Sequence, residues 1–161
     1  MEVKVVPFRY AHLVLINLRG VDQGDSKNRD WLAINSNLTV TMMVEDQPIT
    51  IVGVIKDATG WGYLWLVGSE DMVKYKKGVV KHLKSLKKVI GLRNDLWCLC
   101  RFGWTAASDL LLLLDFSPTT IIYTINDINY QVWVWAKHGD VERKLSILRN
   151  KDLSNLRMTE A

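Results

Sequence analysis

Two hydrophobic periods alternate along the chain, and their order limits the folds open to it. In some segments apolar residues recur every three or four positions, as in amphipathic helices, and in others every second position, as in strands. Residues 38–44, 49–55 and 61–67 are predicted strands, separated by short polar turns at 45–48 and 57–60. Turn-linked strands of this kind pair antiparallel. The middle of the chain therefore contains a predicted antiparallel meander.

The remaining segments surround this meander with helices and further strands. The predicted strands are residues 3–6, 38–44, 49–55, 61–67, 96–102, 119–125 and 130–136; the predicted helices are 8–18, 26–34, 69–90 and 105–114. A strand–helix–strand connection from 61–67 to 96–102 needs a crossover, which joins parallel strands. The sequence therefore predicts an α+β fold: a mixed sheet of about seven strands with a central parallel pair and helices on both faces.

The length and composition suit one globular domain followed by a tail. The 161 residues are 48% hydrophobic and 24% charged, enough for a core without a metal or disulfide scaffold. From residue 138 the chain is polar with thin helical spacing, so we predict a domain over residues 1–137 and a polar tail over 138–161. No basic leader or apolar run of about 20 residues is visible, so we expect no secretion and no membrane span.

Most of the positive charge is concentrated in one predicted helix. Residues 69–88 contain seven lysines against Glu70 and Asp71, a balance of +5 in a chain whose net charge is +4. Five of these lysines recur at spacings of three and four, opposite an apolar stripe; they are Lys74, Lys77, Lys81, Lys84 and Lys88, with Lys76, His82 and Lys87 flanking them. This basic face is either a binding surface for nucleic acid or an acidic protein, or an ordinary solvated helix face.

Metal and nucleophile chemistry have little support in the residue pattern. His12, His82 and His138 are scattered singly, so we expect no metal site. Cys98 and Cys100 lie in an apolar strand, and we expect them to be reduced core residues. Leu110–Leu114 is apolar around a whole helix, which predicts covering either within the chain or by another subunit.

Three stretches carry a family resemblance together with the element order. They are Pro48–Val54, Trp61–Val67 and Leu110–Phe116. These stretches resemble parts of the GNAT (N-acetyltransferase) fold. Pro48–Val54 resembles its third strand, and Trp61–Val67 resembles the strand that precedes its cofactor helix. Leu110–Phe116 resembles its helix that ends in L-G-F. More narrowly, the chain resembles GNAT-like proteins of short-tailed, podovirus-type phages. The resemblance covers about residues 1–137.

The family's cofactor motif is present only in part. There, backbone N–H groups at a helix N-terminus hold the acetyl-CoA pyrophosphate in a loop of pattern Q/R-x-x-G-x-G/A. With Gly78 as the first glycine, Tyr75 and Val80 replace the two other characteristic residues, and Glu70 and Asp71 at the predicted helix start would repel phosphates. If the chain binds acetyl-CoA, the resemblance implies five contact residues: Val67, Gly68, Lys77, Gly78 and Val79.

The family's acid motif is also altered. Its pattern N-x-x-A-x-x-x-Y precedes L-G-F, and anchoring it on Phe116 matches Ala107. The asparagine, tyrosine and glycine positions, however, are Trp104, Leu111 and Asp115. We therefore assign no catalytic residue.

Three hypotheses follow. The leading one is a non-catalytic GNAT-fold phage protein, an internal virion or morphogenesis component that acts through contacts with phage or host proteins. It would have no cofactor, it would act in the host cytoplasm or the virion interior, and it leaves room for an oligomer. The alternative is an acetyl-CoA-dependent N-acyltransferase. A weaker alternative is a nucleic-acid-associated protein that uses the basic face.

Overall fold

A computed structural model describes residues 2–17, 26–125, 127–137 and 141–150. Its strands are β1 (Val3–Pro7), β2 (Leu38–Val44), β3 (Gln47–Lys56), β4 (Trp61–Gly68), β5 (Asp95–Arg101), β6 (Ser117–Ile125) and β7 (Ile128–Trp135). Its helices are α1 (Tyr10–Leu15), α2 (Ser26–Asn35), α3 (Lys76–Ile90), α4 (Thr105–Leu113) and α5 (Val141–Arg149). Gly20, the predicted end of the first helix, lies outside the described residues.

The seven strands form one mixed sheet, in the order β1-β2-β3-β4-β5-β7-β6. β4 and β5 pair parallel, with Trp61 opposite Asp95 and Tyr63 opposite Trp97. The pairs β1–β2, β2–β3, β5–β7 and β6–β7 are antiparallel. The prediction of an α+β mixed sheet with a central parallel pair is confirmed.

Residue contacts divide the chain into two compact units, and the first contains residues up to Ile55 together with Leu64–His82. β3 is its most buried strand, since every residue from Pro48 to Val54 is buried. Gly53 permits the close packing there, because a Cβ at this position would come within 2.5 Å of the Trp65 ring. The Trp65 indole N–H donates to the Ser36 hydroxyl over 2.7 Å. This packing explains why β3 shows no alternation in sequence.

The second unit contains Lys56–Tyr63 and Leu83–Asp152, and α5 packs within it. The Asp95 carboxylate, 0% exposed, accepts from Lys144 Nζ on α5 over 2.5 Å and from the Lys137 N–H over 2.7 Å. The Trp61 indole donates to the Lys144 carbonyl over 3.0 Å, and Leu148 is fully buried. Part of the segment that we expected to be a separate tail therefore forms a docked helix.

The helix after β4 begins later than the sequence pattern suggests. We predicted a single helix from Ser69, but Glu70–Val73 forms a 3₁₀ turn and α3 starts at Lys76. Ser69 is 1% exposed, its N–H donates to the Ile49 carbonyl over 2.8 Å, and its hydroxyl makes no cap bond. Ser69 thus continues the hydrogen bonding of the strand end, which is why it does not cap α3.

The leucine-rich helix also differs from its prediction. α4 begins at Thr105, its N-cap residue is Trp104, and it ends at Leu113, one residue before the predicted end. Leu111 and Leu114 are buried, whereas Leu112 is 57% and Leu113 44% exposed, so the described part of the chain leaves one side of the helix open. None of the described helices combines the length and apolar character needed to cross a membrane.

Candidate functional site

The end of β4 leads directly into the segment that the family resemblance associates with a cofactor. Val67 is 1% exposed and Gly68 is buried. The Ser69 hydroxyl that follows is fully buried and has no hydrogen-bond partner among the described residues. The two predicted contact residues on β4 therefore offer a ligand backbone groups and not side chains.

The first turn of α3 presents backbone donors next to lysine side chains. The first N–H groups of an α-helix have no acceptor within the helix, and in α3 these belong to Lys76, Lys77 and Gly78. No acidic residue lies in this turn, and both lysine side chains are exposed. Aligned amides and two cations together make this end of α3 electropositive.

The later helix start corrects one expectation about anion binding. We expected Glu70 and Asp71 to lie in the first turn of the helix and to repel phosphates there. Both residues instead lie in the 3₁₀ turn before α3. The carboxylates are therefore outside the helix turn whose amides are free, and the sequence-based objection to an anion at that turn does not hold.

Gly78 and Val79 owe their identity to packing. A Cβ on Gly78 would lie 2.6 Å from Cγ2 of Val3, so glycine lets α3 approach β1. Val79 is fully buried, and the His82 ring lies 2.8 Å from the Val3 carbonyl through Nε2. Of the predicted contact residues on α3, only Lys77 presents its side chain to solvent. Gly78 could contribute its backbone N–H, whereas the Val79 N–H already donates to the Tyr75 carbonyl over 3.1 Å.

The five lysines of the basic face are exposed, as their spacing indicates; they are Lys74, Lys77, Lys81, Lys84 and Lys88. Lys87, predicted to flank them, is only 8% exposed. Its ammonium donates to the Leu114 carbonyl over 2.7 Å and lies 4.9 Å from the centre of the Trp135 ring. Lys87 thus belongs to the packing of α4. Binding of nucleic acid by the basic face stays a prediction.

The second unit holds the positions of the family's acid motif. Leu111 is 9% exposed and part of the core. Asp115 takes the glycine position with φ 63°, and its N–H donates to the Leu112 carbonyl over 3.0 Å while the Phe116 N–H donates to the Leu111 carbonyl over 3.0 Å. These two bonds form the Schellman ending of a helix, which needs a left-handed residue. Asp115 therefore keeps the backbone conformation that a glycine would have.

The two cysteines and Tyr63 of this unit are buried. Cys98 and Cys100 are free thiols. Burial raises the pKa of the Cys98 thiol, with Cys100 adding to the effect, and burial also raises the pKa of Tyr63. Neither thiol has the depressed pKa of a nucleophilic cysteine. Across the described ranges, no cluster of three or more His, Cys, Asp or Glu side chains is arranged to hold a metal ion.

Two polar clusters were missed at the sequence level. One is the Asp95–Lys144 pair, whose members are 49 residues apart. The other joins His12 on α1 to Thr41 on β2, with 2.7 Å between Nδ1 and the hydroxyl. A single aspartate at the start of an apolar strand was the one available sign of the first pair. No local pattern indicated the second.

Comparison with known proteins identifies the fold. No protein-family model and no curated protein sequence matches the chain. Among solved structures, the ribosomal-protein-S18-alanine N-acetyltransferase of Escherichia coli aligns with TM-score 0.63 and 16% identity, covering 86% of this chain and 97% of its own. An acetyltransferase of Bacillus subtilis in complex with CoA aligns with TM-score 0.63 and 8% identity. The alignment covers 85% of this chain and 99% of the Bacillus subtilis protein.

A third solved structure extends the likeness to a drug-modifying enzyme. The aminoglycoside acetyltransferase AAC(6')-Ib, in complex with coenzyme A, aligns with TM-score 0.62 and 12% identity and covers 92% of this chain and 99% of its own. At these identities the likeness establishes the fold. The chain has the GNAT fold, as its sequence resemblance indicated.

The functional expectation drawn from that resemblance is wrong. We expected a non-catalytic internal virion or morphogenesis protein of a phage. The three solved structures described above share the fold over nearly their whole length and are acetyltransferases, and two of these three were determined with CoA. These neighbours favour the alternative of an N-acyltransferase. The start of α3 at Lys76 also removes one physical reason for rejecting a phosphate ligand.

Proposed function

We propose that this protein is an acetyl-CoA-dependent N-acetyltransferase. The observation that carries the proposal is the N-terminal turn of α3, which follows β4 and combines free backbone amides with two exposed lysines and no carboxylate. The GNAT fold and the CoA complexes of its structural neighbours support the same ligand.

The incomplete cofactor motif is compatible with this proposal for a physical reason. Amide groups of the main chain bind phosphate whatever side chains they carry. In this chain the Cβ position of Gly78 faces Val3 of β1, and the Val79 side chain is buried in the core. This packing leaves the main-chain amides of the first turn available as donors. Lys76 and Lys77 would add the positive charge that Tyr75 does not supply at the motif's arginine or glutamine position.

The part of β4 before the turn would hold the extended arm of the cofactor. Val67 and Gly68 have buried side-chain positions, so contacts there would come from main-chain N–H and C=O groups. The orphaned hydroxyl of Ser69 lies at the junction between this strand and the 3₁₀ turn. A buried hydroxyl without a partner has lost its hydrogen bonds to water on folding. The Ser69 hydroxyl would therefore be available to donate to a ligand after a small rearrangement of this junction.

The chemistry proposed for the site needs little help from a side-chain acid. Acetyl-CoA supplies a thioester whose thiolate leaves readily, because a thiol has a pKa of about 8.5. Leu111, at the family's tyrosine position, is apolar and buried and donates no proton. The acceptor amine would form a bond to the thioester carbonyl carbon while the C–S bond breaks, and the proton that the nitrogen loses would reach the departing thiolate through solvent. The chain would therefore act by positioning the two substrates.

Charge reversal at the α3 N-terminus tests the proposal. We expect Lys77→Glu to weaken acetyl-CoA binding at least about tenfold, or about 1.4 kcal/mol, because a carboxylate would face the phosphates. Lys88→Glu is the matched control: the same change on the same exposed helix face, about 16 Å along the axis and beyond the screening length of physiological salt. Calorimetric titration of both variants provides the two dissociation constants.

Two outcomes would contradict this assignment of the site. Equal weakening by Lys77→Glu and Lys88→Glu would mean that only net charge matters. Unchanged binding in Lys77→Glu would move the phosphates away from α3.

A further inference from the structure

A second site lies on the sheet face opposite α3. An open depression of about 370 Å³ is bounded by β1, α1 and the β2–β3 turn. Val3 points toward α3, where it meets Gly78. Lys4 and Val6 alternate with it and therefore face the other side of the sheet, where they line the depression. The depression is thus separated by the sheet from the proposed acetyl-CoA contacts on α3.

One end of the depression contains a buried histidine with a fixed tautomer. His12 is 7% exposed, and its Nδ1 accepts from the Arg9 backbone N–H over 3.0 Å and lies 2.7 Å from the Thr41 hydroxyl. A backbone amide only donates, so Nδ1 carries no proton and the neutral ring carries it on Nε2. Burial, followed by the charge of Arg9, lowers the pKa of His12 and keeps the ring neutral.

Both hydrogen bonds of His12 use Nδ1, and none is found at Nε2 among the described residues. His12 lines the depression. Arg9 lines the same end of the depression with an exposed cationic side chain. A fixed N–H donor beside a guanidinium is suited to an anionic group.

The other end of the depression carries the opposite charge. Glu45 and Asp46 form the turn between β2 and β3, and both line the depression with exposed side chains. Glu45 follows the last residue of β2, four positions after Thr41, which bonds to His12. Four residues of chain span at most about 13 Å, which limits the separation of the two ends. Lys4 lies between them, opposite Met43 in the β1–β2 register, and the floor is apolar at Val6 and Met43.

We propose that this depression binds a short peptide of about two residues, with its free carboxylate at His12 and Arg9 and its free ammonium at Glu45 and Asp46. Side chains from both ends reach into this gap of at most about 13 Å, and the termini of a dipeptide are separated by about 7 Å. The apolar floor accepts small aliphatic side chains. The site does not depend on the proposed transferase activity.

An NMR titration of the whole protein with L-alanyl-L-alanine tests the site directly. The expected result is a saturable shift of the His12 Nε2 resonance and of the Arg9 and Glu45 amides, with a roughly millimolar dissociation constant. Alanylalanine amide lacks the carboxylate and N-acetyl-alanylalanine lacks the ammonium, and each should bind at least about fivefold more weakly.

Protein variants separate the proposed contacts from general charge effects. Arg9→Gln should weaken dipeptide binding at least about fivefold, whereas Lys81→Gln, which removes one exposed cation from α3 within the same unit, should leave it unchanged. No saturable shift at about ten millimolar dipeptide would overturn the proposal. So would equal binding of the free dipeptide and its amide. Acetyl-CoA titration of the same samples reports separately on the transferase proposal.

Discussion

At the scale of single residues, Asp115 replaces the glycine of a family motif and still adopts the backbone conformation that the glycine would have. Its φ of 63° is the conformation for which a glycine is favoured at the end of a helix, and aspartate tolerates it better than most residues. The sequence comparison alone treats this position as a departure from the family. The backbone shows that the helix ending is retained.

Substitution of Asp115 should therefore follow backbone preference. We expect Asp115→Val to lower the free energy of unfolding by about 2 kcal/mol, because a β-branched residue is strained at positive φ. Asp115→Gly should stay within about 1 kcal/mol of the unaltered protein, since glycine gains in the folded state what it loses through unfolded-state entropy. Urea denaturation measures both variants. Equal stability of the valine and glycine variants would show that Asp115 is unstrained.

At the scale of elements, α5 is integrated with the second unit through a buried ion pair. Lys144 is the charged partner of the fully buried Asp95 carboxylate, and Leu148 fills the core beside it. The thin helical spacing after residue 137 was compatible with a helix but did not identify its partner. Residues 141–149 contain few apolar positions, so they were predicted as part of a tail. Hydrophobic spacing gives no information about an ion pair such as Lys144 with Asp95, whose members lie far apart in the sequence.

Removing the Lys144 ammonium should reveal its contribution. We expect Lys144→Met to lower the free energy of unfolding by about 3 kcal/mol, because it leaves the Asp95 carboxylate buried without its cation. The double variant Asp95→Asn with Lys144→Met should recover part of that loss, since an asparagine can still accept from the Lys137 N–H. A loss below about 0.5 kcal/mol in the single variant, measured by urea denaturation, would mean that α5 contributes little to the fold.

The start of α3 illustrates a second limit at this scale. Ser69, Glu70 and Asp71 have the composition of a helix N-terminus, and the prediction of a helix from residue 69 followed from it. The tertiary bond from Ser69 to Ile49 keeps the serine with the sheet, and the acidic pair becomes a 3₁₀ turn. The boundary moved by seven residues, and with it the charge at the helix end changed sign.

At the scale of the whole molecule, the fold was predictable and the function was not. Hydrophobic periods are local, so they predicted all seven strands and the parallel crossover. The position of β7 between β5 and β6 depends on long-range pairing and could not be predicted from period alone. The non-catalytic hypothesis rested on altered side chains at Tyr75, Val80 and Leu111, and the acetyltransferases that share the fold contradict it.

Calorimetric titration of the unaltered protein with acetyl-CoA is the most direct measurement of the proposed function. We predict saturable one-to-one binding. In a parallel unfolding experiment, ligand at 100 times its dissociation constant should raise the free energy of unfolding by about 2.7 kcal/mol. Absence of binding heat, together with an unfolding transition that acetyl-CoA does not move, would contradict the assignment of this chain as an acetyl-CoA-dependent enzyme.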